Sequence, residues 1–356
     1  MFLFAILLLV PAVIALGSFV FTRGVTWKEF ALQVVIQALV AGASAGIVSC
    51  QSTADTEIWN GVVASKSSEH VDCAHSYPCN PYPCNCDNKG NCSTCYATCH
   101  EHAYDVDWHV YTSNQETVDI NRVDSQGVFE PPRFTAARIG EPTAVEHTYV
   151  NYIKAAPDTL FRHQGLTERY AGKLPAYPGD VVDYYRLDRF LPWGVAVDGA
   201  RVWGEALSNV NARWGRASQA NVIVVLVRDQ PQEWFYALEQ QWVGGKKNDI
   251  VLVVDVDDTL TPQWASVMCW TTEEIFRVQL RDIIMASGAL TKDKLTHDLD
   301  AALPLFKRKP MADFQYLEAE ITPSRMQWVI TLIISLVIAV GLSWLFVTTD
   351  VFGDER

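Results

Sequence analysis

Near the C-terminus, QWVITLIISLVIAVGLSWLFV runs from Gln327 to Val347 without a charged side chain and carries Trp328 and Trp344 near its ends. About 20 apolar residues in helical form cross a hydrocarbon core of about 30 Å, and tryptophan favours its two interfaces. The run therefore reads as a transmembrane helix. A soluble core helix of this length would show a charged, polar face, and this run has no charged residue.

The other end imposes a similar constraint. Met1 to Phe21 is apolar, and a second apolar run follows from Phe30 to Val48. The first basic residue, Arg23, stands behind the first run, whereas a cleavable leader opens with one, so an uncleaved helix is expected. Cleavage near Gly17, after Ala15, is the alternative. In the second run Gln33 and Gln37 share a helical face, and Gly42 and Gly46 have the spacing that lets helices approach closely. Packed on the first helix, this run would return across the bilayer; an amphipathic helix lying on the membrane is the other reading, since two glutamines lower its hydropathy. Arg23 and Lys28 favour a cytoplasmic connection, which with a returning helix puts the large middle region outside the cytoplasm. The acidic tail, Asp350, Asp354 and Glu355 against Arg356, carries little weight in this rule. Residues 1–48 and 327–347 are thus the membrane segments of an integral membrane protein, with the bilayer and other membrane proteins as partners.

A net charge of −13, with no basic cluster beyond Lys307, Arg308 and Lys309, disfavours nucleic acid as a partner. That triplet, followed by Pro310, reads as a solvated segment between domain and membrane.

Eight of the nine cysteines fall between Cys50 and Cys99, in a module over 49–103 rich in Pro, Asn, Ser and His. Such a segment has too little aliphatic surface to hold itself together without bridges or metal. Cys84, Cys86, Cys92 and Cys95 are spaced to offer four thiolates to one Zn²⁺, with Cys99, His100 and His102 as spare ligands; His70, Cys73, His75 and Cys79 form a possible second set. An even number of cysteines suits four disulfides equally, and the compartment decides between the two chemistries.

Residues 104–192 begin with YDVDWHVYT, where Val106, Trp108 and Val110 alternate as in a strand, and continue with frequent prolines. Short strands and long loops are expected, with GDVVDYYRLDRF as a loop packed by its aromatics. Over 193–310 the pattern becomes regular. Val202, Ala206, Val210 and Trp214 predict an amphipathic helix, Val222 to Val227 a buried strand, and Trp234, Leu238 and Trp242 a helix ending at Gly244 and Gly245. Ile250 to Val256 predicts a second buried strand, completing a right-handed βαβ unit. Gln263 to Trp270 alternates like an adjoining strand. Thr271 and Glu274 have capping-box spacing before a helix with Phe276, Leu280 and Ile284, and a last helix carries Leu295, Leu299 and Leu303.

The stretch VIVVLV followed by EWFYALEQQWVGGKKNDIVLVVDV resembles the TPM domain, with Trp242, Gly245, Lys246, Lys247, Asn248 and Asp249 matching its turn between helix and second strand. A transmembrane helix commonly follows that domain, as one does here. The glycine-rich stretch usual after the second strand is replaced by QWASVMCW. The resemblance implies an α/β/α sandwich at a membrane surface, with acid-phosphatase activity, divalent-ion binding or scaffolding of membrane complexes. YDVDWHV and NYIKAAPDTLFR also look like segments of uncharacterised membrane proteins of large tailed bacteriophages.

VLVVDVDDTL, from Val251 to Leu260, is similar to the first motif of haloacid-dehalogenase phosphatases. That chemistry would make Asp255 the nucleophile and Asp257 the proton donor, with Mg²⁺ on the same carboxylates. The remaining motifs must then fit before the last helix, where Lys292, Asp298 and Asp300 sit on a predicted helix. The plainer reading of Asp255, Asp257 and Asp258 is an acidic loop at the carboxyl end of a strand, a place where Ca²⁺ or Mg²⁺ binds in open α/β sheets. No phosphate-binding glycine loop, nucleophile elbow or His-Glu-x-x-His pair occurs. Cys269, inside a predicted strand, reads as core. The expectation is a non-catalytic, membrane-anchored scaffold, with a metal-assisted phosphatase as the alternative.

Overall fold

The computed structural model describes residues 12–20, 25–114, 117–120, 127–161, 165–179, 187–349 and 351–352. Most of the first apolar run, Arg23, the centre of GDVVDYYRLDRF and the charged tail lie outside the described residues. Two compact units form, one from Met1–Thr56, Thr148–Gln164 and Pro310–Arg356, the other from Glu57–His147 and Gly165–Lys309.

The first unit contains two helices, Trp27–Thr53 and Arg325–Thr348, both long and apolar enough to cross a membrane. Each opens with a capping box, Thr26 with Glu29 and Ser324 with Gln327, which satisfies backbone donors that a helix start leaves open. Their polarity is inverted relative to a pair folded in water. Gln33, Gln37, Thr331, Ser335, Ala339 and Ser343 are buried, while Val35, Leu39, Val337, Val340 and Trp344 are each more than half exposed. The Gln33 amide donates to the Ala339 carbonyl and to Ser343 Oγ, both at 3.0 Å. Ser335 Oγ donates to Gln37 Oε1 at 3.1 Å. The glutamine face thus packs on the C-terminal helix, while Phe19 of the first apolar run lies with its ring 5.5 Å from that of Phe30 in the second. The cause is hydrogen-bonding capacity: the C-terminal helix offers the Ser335 and Ser343 hydroxyls and the Ala339 carbonyl to the two amides, whereas Ser18, in residues 12–20, bonds the carbonyl of Ile14. Among the described residues, no atom lies within 4 Å of where a Cβ at Gly42 or Gly46 would stand.

The second unit starts in β1 (Ala54–Val71), then forms a hairpin of β2 (Ser76–Cys84) and β3 (Ser93–His100), followed by β4 (Asp105–Thr112), β5 (Thr117–Asp119) and β6 (Pro142–Val150). The order β5-β4-β1-β6 makes one four-stranded sheet, and β2-β3 stands apart as a two-stranded ribbon. Antiparallel pairing from Val63↔Thr112 to Val71↔Asp105 joins the strand that enters the cysteine hairpin to the strand that leaves it. Val63, Val110, Ile120, Phe134 and Ala137 form the small core of this sheet.

The rest of the unit is β7 (Phe190–Pro192), α1 (Ala200–Ser218), β8 (Asn221–Val227), α2 (Glu233–Gln241), β9 (Asp249–Val256), β10 (Pro262–Cys269), α3 (Ile275–Ala286) and α4 (Lys292–Ala302). Its sheet runs β10-β9-β8-β7, with β7, β8 and β9 parallel and β10 antiparallel to β9. Every residue of β8 and β9 is buried. Val222, Val224, Leu226, Ile250, Leu252 and Val254 face a core shared with α1, α3 and α4. Their neighbours Ile223, Val225, Val227, Val251 and Val253 face the opposite core, under α2. On α1 the buried stripe is Trp203, Leu207 and Val210, while Val202 is exposed, because a strict fourfold spacing drifts around a helix of 3.6 residues per turn. α2 ends as expected, with Gly244 and Gly245 both at positive φ.

Two further expectations change. Thr271 does not cap α3, which starts at Ile275 without a side-chain cap; its hydroxyl donates to the Lys307 carbonyl and its backbone bridges Arg308. The basic triplet is no solvated linker either. Arg308, its side chain 12% exposed, pairs through Nη2 with both carboxylate oxygens of buried Glu57, while Lys307 bonds Glu273. Removing Arg308 leaves buried Glu57 with the Trp59 indole N–H and His147 as its partners, at a cost below the about 3–5 kcal/mol of a wholly unpaired buried charge, on the order of 2–3 kcal/mol. Arg308→Met should therefore lower unfolding free energy by about that amount, and Glu57→Leu added to it should restore most of the loss. Chemical denaturation of the detergent-solubilised protein measures both.

Candidate functional site

β9 turns directly back into β10, so the acidic motif becomes the turn of a hairpin. Asp255 is buried at the end of β9, and its Oδ1 accepts the Gln230 N–H at 2.9 Å. Asp257 Oδ1 accepts from the Thr259 N–H (2.8 Å), the Thr259 hydroxyl (2.7 Å) and the Thr261 N–H (2.9 Å). Asp258 is exposed and pairs with Arg228 at 3.0 Å. Burial pushes the Asp255 carboxyl above its usual range, opposed by the Gln230 N–H. The Thr261 N–H, the Thr259 hydroxyl and the Thr259 N–H hold Asp257 below it. In a haloacid-dehalogenase mechanism Asp255 would attack and Asp257 would give up a proton; here Asp257 Oδ1 is taken by three donors of its own turn. Lys292, Asp298 and Asp300 fall on α4, where Asp300 accepts from Arg213 and the Trp214 indole and Asp298 accepts from the Ser287 hydroxyl.

At the opposite end of the strands lies a buried polar string. Asn60 Nδ2 donates to Asn221 Oδ1 (2.9 Å), Asn221 Nδ2 to Asp249 Oδ1 (2.7 Å), and Tyr177 Oη to Asp249 Oδ2 (2.8 Å). Burial raises the Asp249 carboxyl, and the nearby buried Arg189 opposes that shift most. At Gly215 a Cβ would stand 2.3 Å from the Asn60 carbonyl oxygen, so only glycine lets β1 approach α1 here. Asn60, Asn221, Tyr177 and Asp249 satisfy one another and belong to the architecture, while Arg189 Nε and Nη2 are buried without a partner among the described residues.

The cysteine module is a disulfide ladder. Cys79–Cys99, Cys84–Cys95 and Cys86–Cys92 are bridged, and Cys50, Cys73 and Cys269 are free. Five of the expected zinc ligands, Cys84, Cys86, Cys92, Cys95 and Cys99, are thereby committed to sulfur, and the four-thiolate site does not form. Four bridges do not form either, since Cys50 sits in the last turn of the helix Trp27–Thr53. Register places Tyr77, Cys79, Tyr82 and Cys84 on one face of the ribbon with Cys95 and Cys99, and Pro78, Pro81 and Pro83 on the other with Tyr96. Tyr77, Tyr82 and Tyr96 are exposed. The second expected set also disperses, because Cys79 is bridged and His70 stacks on Tyr104 at 4.2 Å.

Where the ribbon starts and ends, three other side chains converge. Cys73 Sγ lies 3.8 Å from His102 Nδ1, and His102 Nδ1 lies 3.4 Å from Asp105 Oδ1. Cys73 and Asp105 are buried. Asp105 Oδ2 accepts the Ala74 N–H at 2.9 Å, and a His100 Nδ1 contact of 3.0 Å holds the Cys73 carbonyl. Thiol and carboxylate approach the same imidazole nitrogen, so this is not a nucleophile–base–orienter relay, which uses the two ring nitrogens separately. Of these residues the sequence reading placed His102 among the zinc candidates and Cys73 in another set, and it took Asp105 only as part of a strand. The His102-x-x-Asp105 spacing was the available signal.

Elsewhere, a cavity of about 190 Å³ is lined by Asn60, Thr143, Leu187, Ser208 and Asn211 together with Glu141 and Glu205. Its serine is occupied, Ser208 Oγ donating to the Gly204 carbonyl at 3.0 Å. Cys269 is in the core, and burial pushes its thiol up to about 12.

The Asp257 geometry fixes the sign of a pH effect. Its folded-state pKa is lowered, so its contribution to stability is complete above the unfolded value, about 4, and is lost as pH falls through the lowered one. Asp257→Asn should flatten this acid-side slope while Asp257→Ala also lowers the melting temperature at neutral pH; thermal unfolding between pH 2 and 7 checks both. No family model matches the chain, and no curated protein or solved structure matches it.

Proposed function

We propose that the chain is a membrane-anchored scaffold or interaction protein, without catalytic activity, that presents a TPM-like α/β domain and a disulfide-braced ribbon on the extracytoplasmic side. The observation that carries this reading is the inverted polarity of the two long helices, with amides and hydroxyls inside and Val, Ile, Leu and Trp outside. Water would penalise that arrangement, whereas lipid favours it, since polar side chains in hydrocarbon seek partners on a neighbouring helix. The three bridges support an oxidising compartment for the ribbon. Its exposed tyrosines, fixed on a braced hairpin, are residues that protein interfaces favour. The engagement of Asp257 Oδ1 by the Thr259 N–H, the Thr259 hydroxyl and the Thr261 N–H weighs against its use as a proton donor in phosphoryl transfer.

The full-length protein in detergent should show no turnover of a generic phosphate ester with Mg²⁺ or Ca²⁺ added. Turnover that disappears in Asp255→Asn would overturn the non-catalytic reading. Attachment is tested separately. Deleting Gln327 to Val347 should leave the chain in the alkali-washed membrane fraction, held by the helix Trp27–Thr53, and release into the soluble fraction would contradict membrane insertion of that helix.

A further inference from the structure

We propose that Cys73, His102 and Asp105 bind one zinc-class divalent ion at the base of the ribbon, separate from the bridged cysteines. The three donor atoms lie within 4.8 Å of one another. A tetrahedral Zn²⁺ with ordinary bond lengths separates sulfur from nitrogen by about 3.6 Å and nitrogen from oxygen by about 3.4 Å. The structure has 3.8 Å and 3.4 Å. The remaining separation, from Cys73 Sγ to the Asp105 carboxylate, lies within 4.8 Å, and closing the thiol toward the other two donors completes the set.

The surroundings orient the donors. The Ala74 N–H takes Asp105 Oδ2 and so turns Oδ1 toward the imidazole, and the His100 ring holds the Cys73 carbonyl. Such supporting bonds set ligand direction in metal sites. Gly127 supplies room. It has φ +52°, its carbonyl accepts the Val106 N–H at 2.7 Å, and a Cβ there would stand 2.6 Å from Asp105 Oδ1 and 2.8 Å from His102 Nδ1. The space beside the two donor atoms is therefore kept clear by the one residue type without a side chain.

Donor chemistry selects the ion. Thiolate, imidazole and carboxylate together suit Zn²⁺, whereas Ca²⁺ and Mg²⁺ require oxygen sets. Binding expels the Cys73 thiol proton to solvent. Three protein ligands leave the fourth position to water, and the His102 side chain, 33% exposed, gives solvent access. Because none of the bridged sulfurs takes part, zinc and disulfides coexist in one module, and the site stands whether or not the scaffold reading is right.

The full-length protein, purified in detergent without chelator, is analysed for zinc and then stripped and titrated with Co²⁺. One metal per chain and a thiolate-to-cobalt absorption band are expected; Cys73→Ser should abolish the band, and His102→Ala or Gly127→Ala should weaken Co²⁺ binding at least about tenfold. Three disulfides remain in each variant to hold the ribbon. As a readout that needs no variant, Zn²⁺ should protect Cys73 of the wild-type chain from alkylation. Failure of the stripped wild-type chain to take up Co²⁺ or Zn²⁺, a band that survives Cys73→Ser, or alkylation of Cys73 unaffected by Zn²⁺ would overturn the site.

Discussion

Burial of β8 and β9 on both faces is the constraint from which the larger unit is built. A strand with apolar residues at every position has no side to offer water, so cover is required above and below it. α1, α3 and α4 supply one cover and α2 the other, and the alternate residues of the two strands divide between the two cores. Each fully buried Val, Leu or Ile is worth about 1.5–3 kcal/mol relative to exposure, so these two strands dominate the stabilisation available to the domain. Polar chemistry is displaced to the strand ends. The Asp257 turn lies at one end, and the Asn60, Asn221 and Asp249 string lies at the other.

On the proposed reading, the paired long helices obey the same accounting of polar groups with lipid as the solvent. The amides and hydroxyls are drawn together between them and the apolar side chains turn outward, the arrangement that hydrocarbon would favour. Leu39 and Val337 are exposed for the reason that Leu252 and Val253 are hidden. A single rule, that each group is placed where its interactions are replaced at least cost, yields opposite patterns in the two units.

What could be read from the sequence depended on how local its cause was. β8 and β9 were legible almost to the residue because an unbroken run of Val, Ile and Leu between turn residues has few other solutions. The long helices were legible for the same reason. The glutamine face was recognised, but its partner was not, since that depends on hydroxyls some 300 positions away along the chain. Arg308 was misread for a similar reason, its carboxylate being 251 positions distant. Six cysteines permit 15 pairings, so spacing alone does not choose among them. The Cys73, His102 and Asp105 group is assembled only when the ribbon folds back and brings the residues before β2 beside those after β3.

The prolines of β2 have a consequence for how the ribbon meets other chains. A two-stranded ribbon exposes both of its outer edges, and an edge with free N–H groups invites pairing by a further strand. Pro78, Pro81 and Pro83 have no N–H to offer, and they recur on one strand at the positions facing Thr98, Tyr96 and Thr94. Along β2 the backbone therefore lacks the donor row that strand addition would use. Extension of the ribbon into a larger sheet, or into a fibril, is blocked on that side by composition alone. Contact along β2 is left to side chains, which makes recognition there a matter of shape and residue identity, not of backbone pairing that any extended peptide could satisfy.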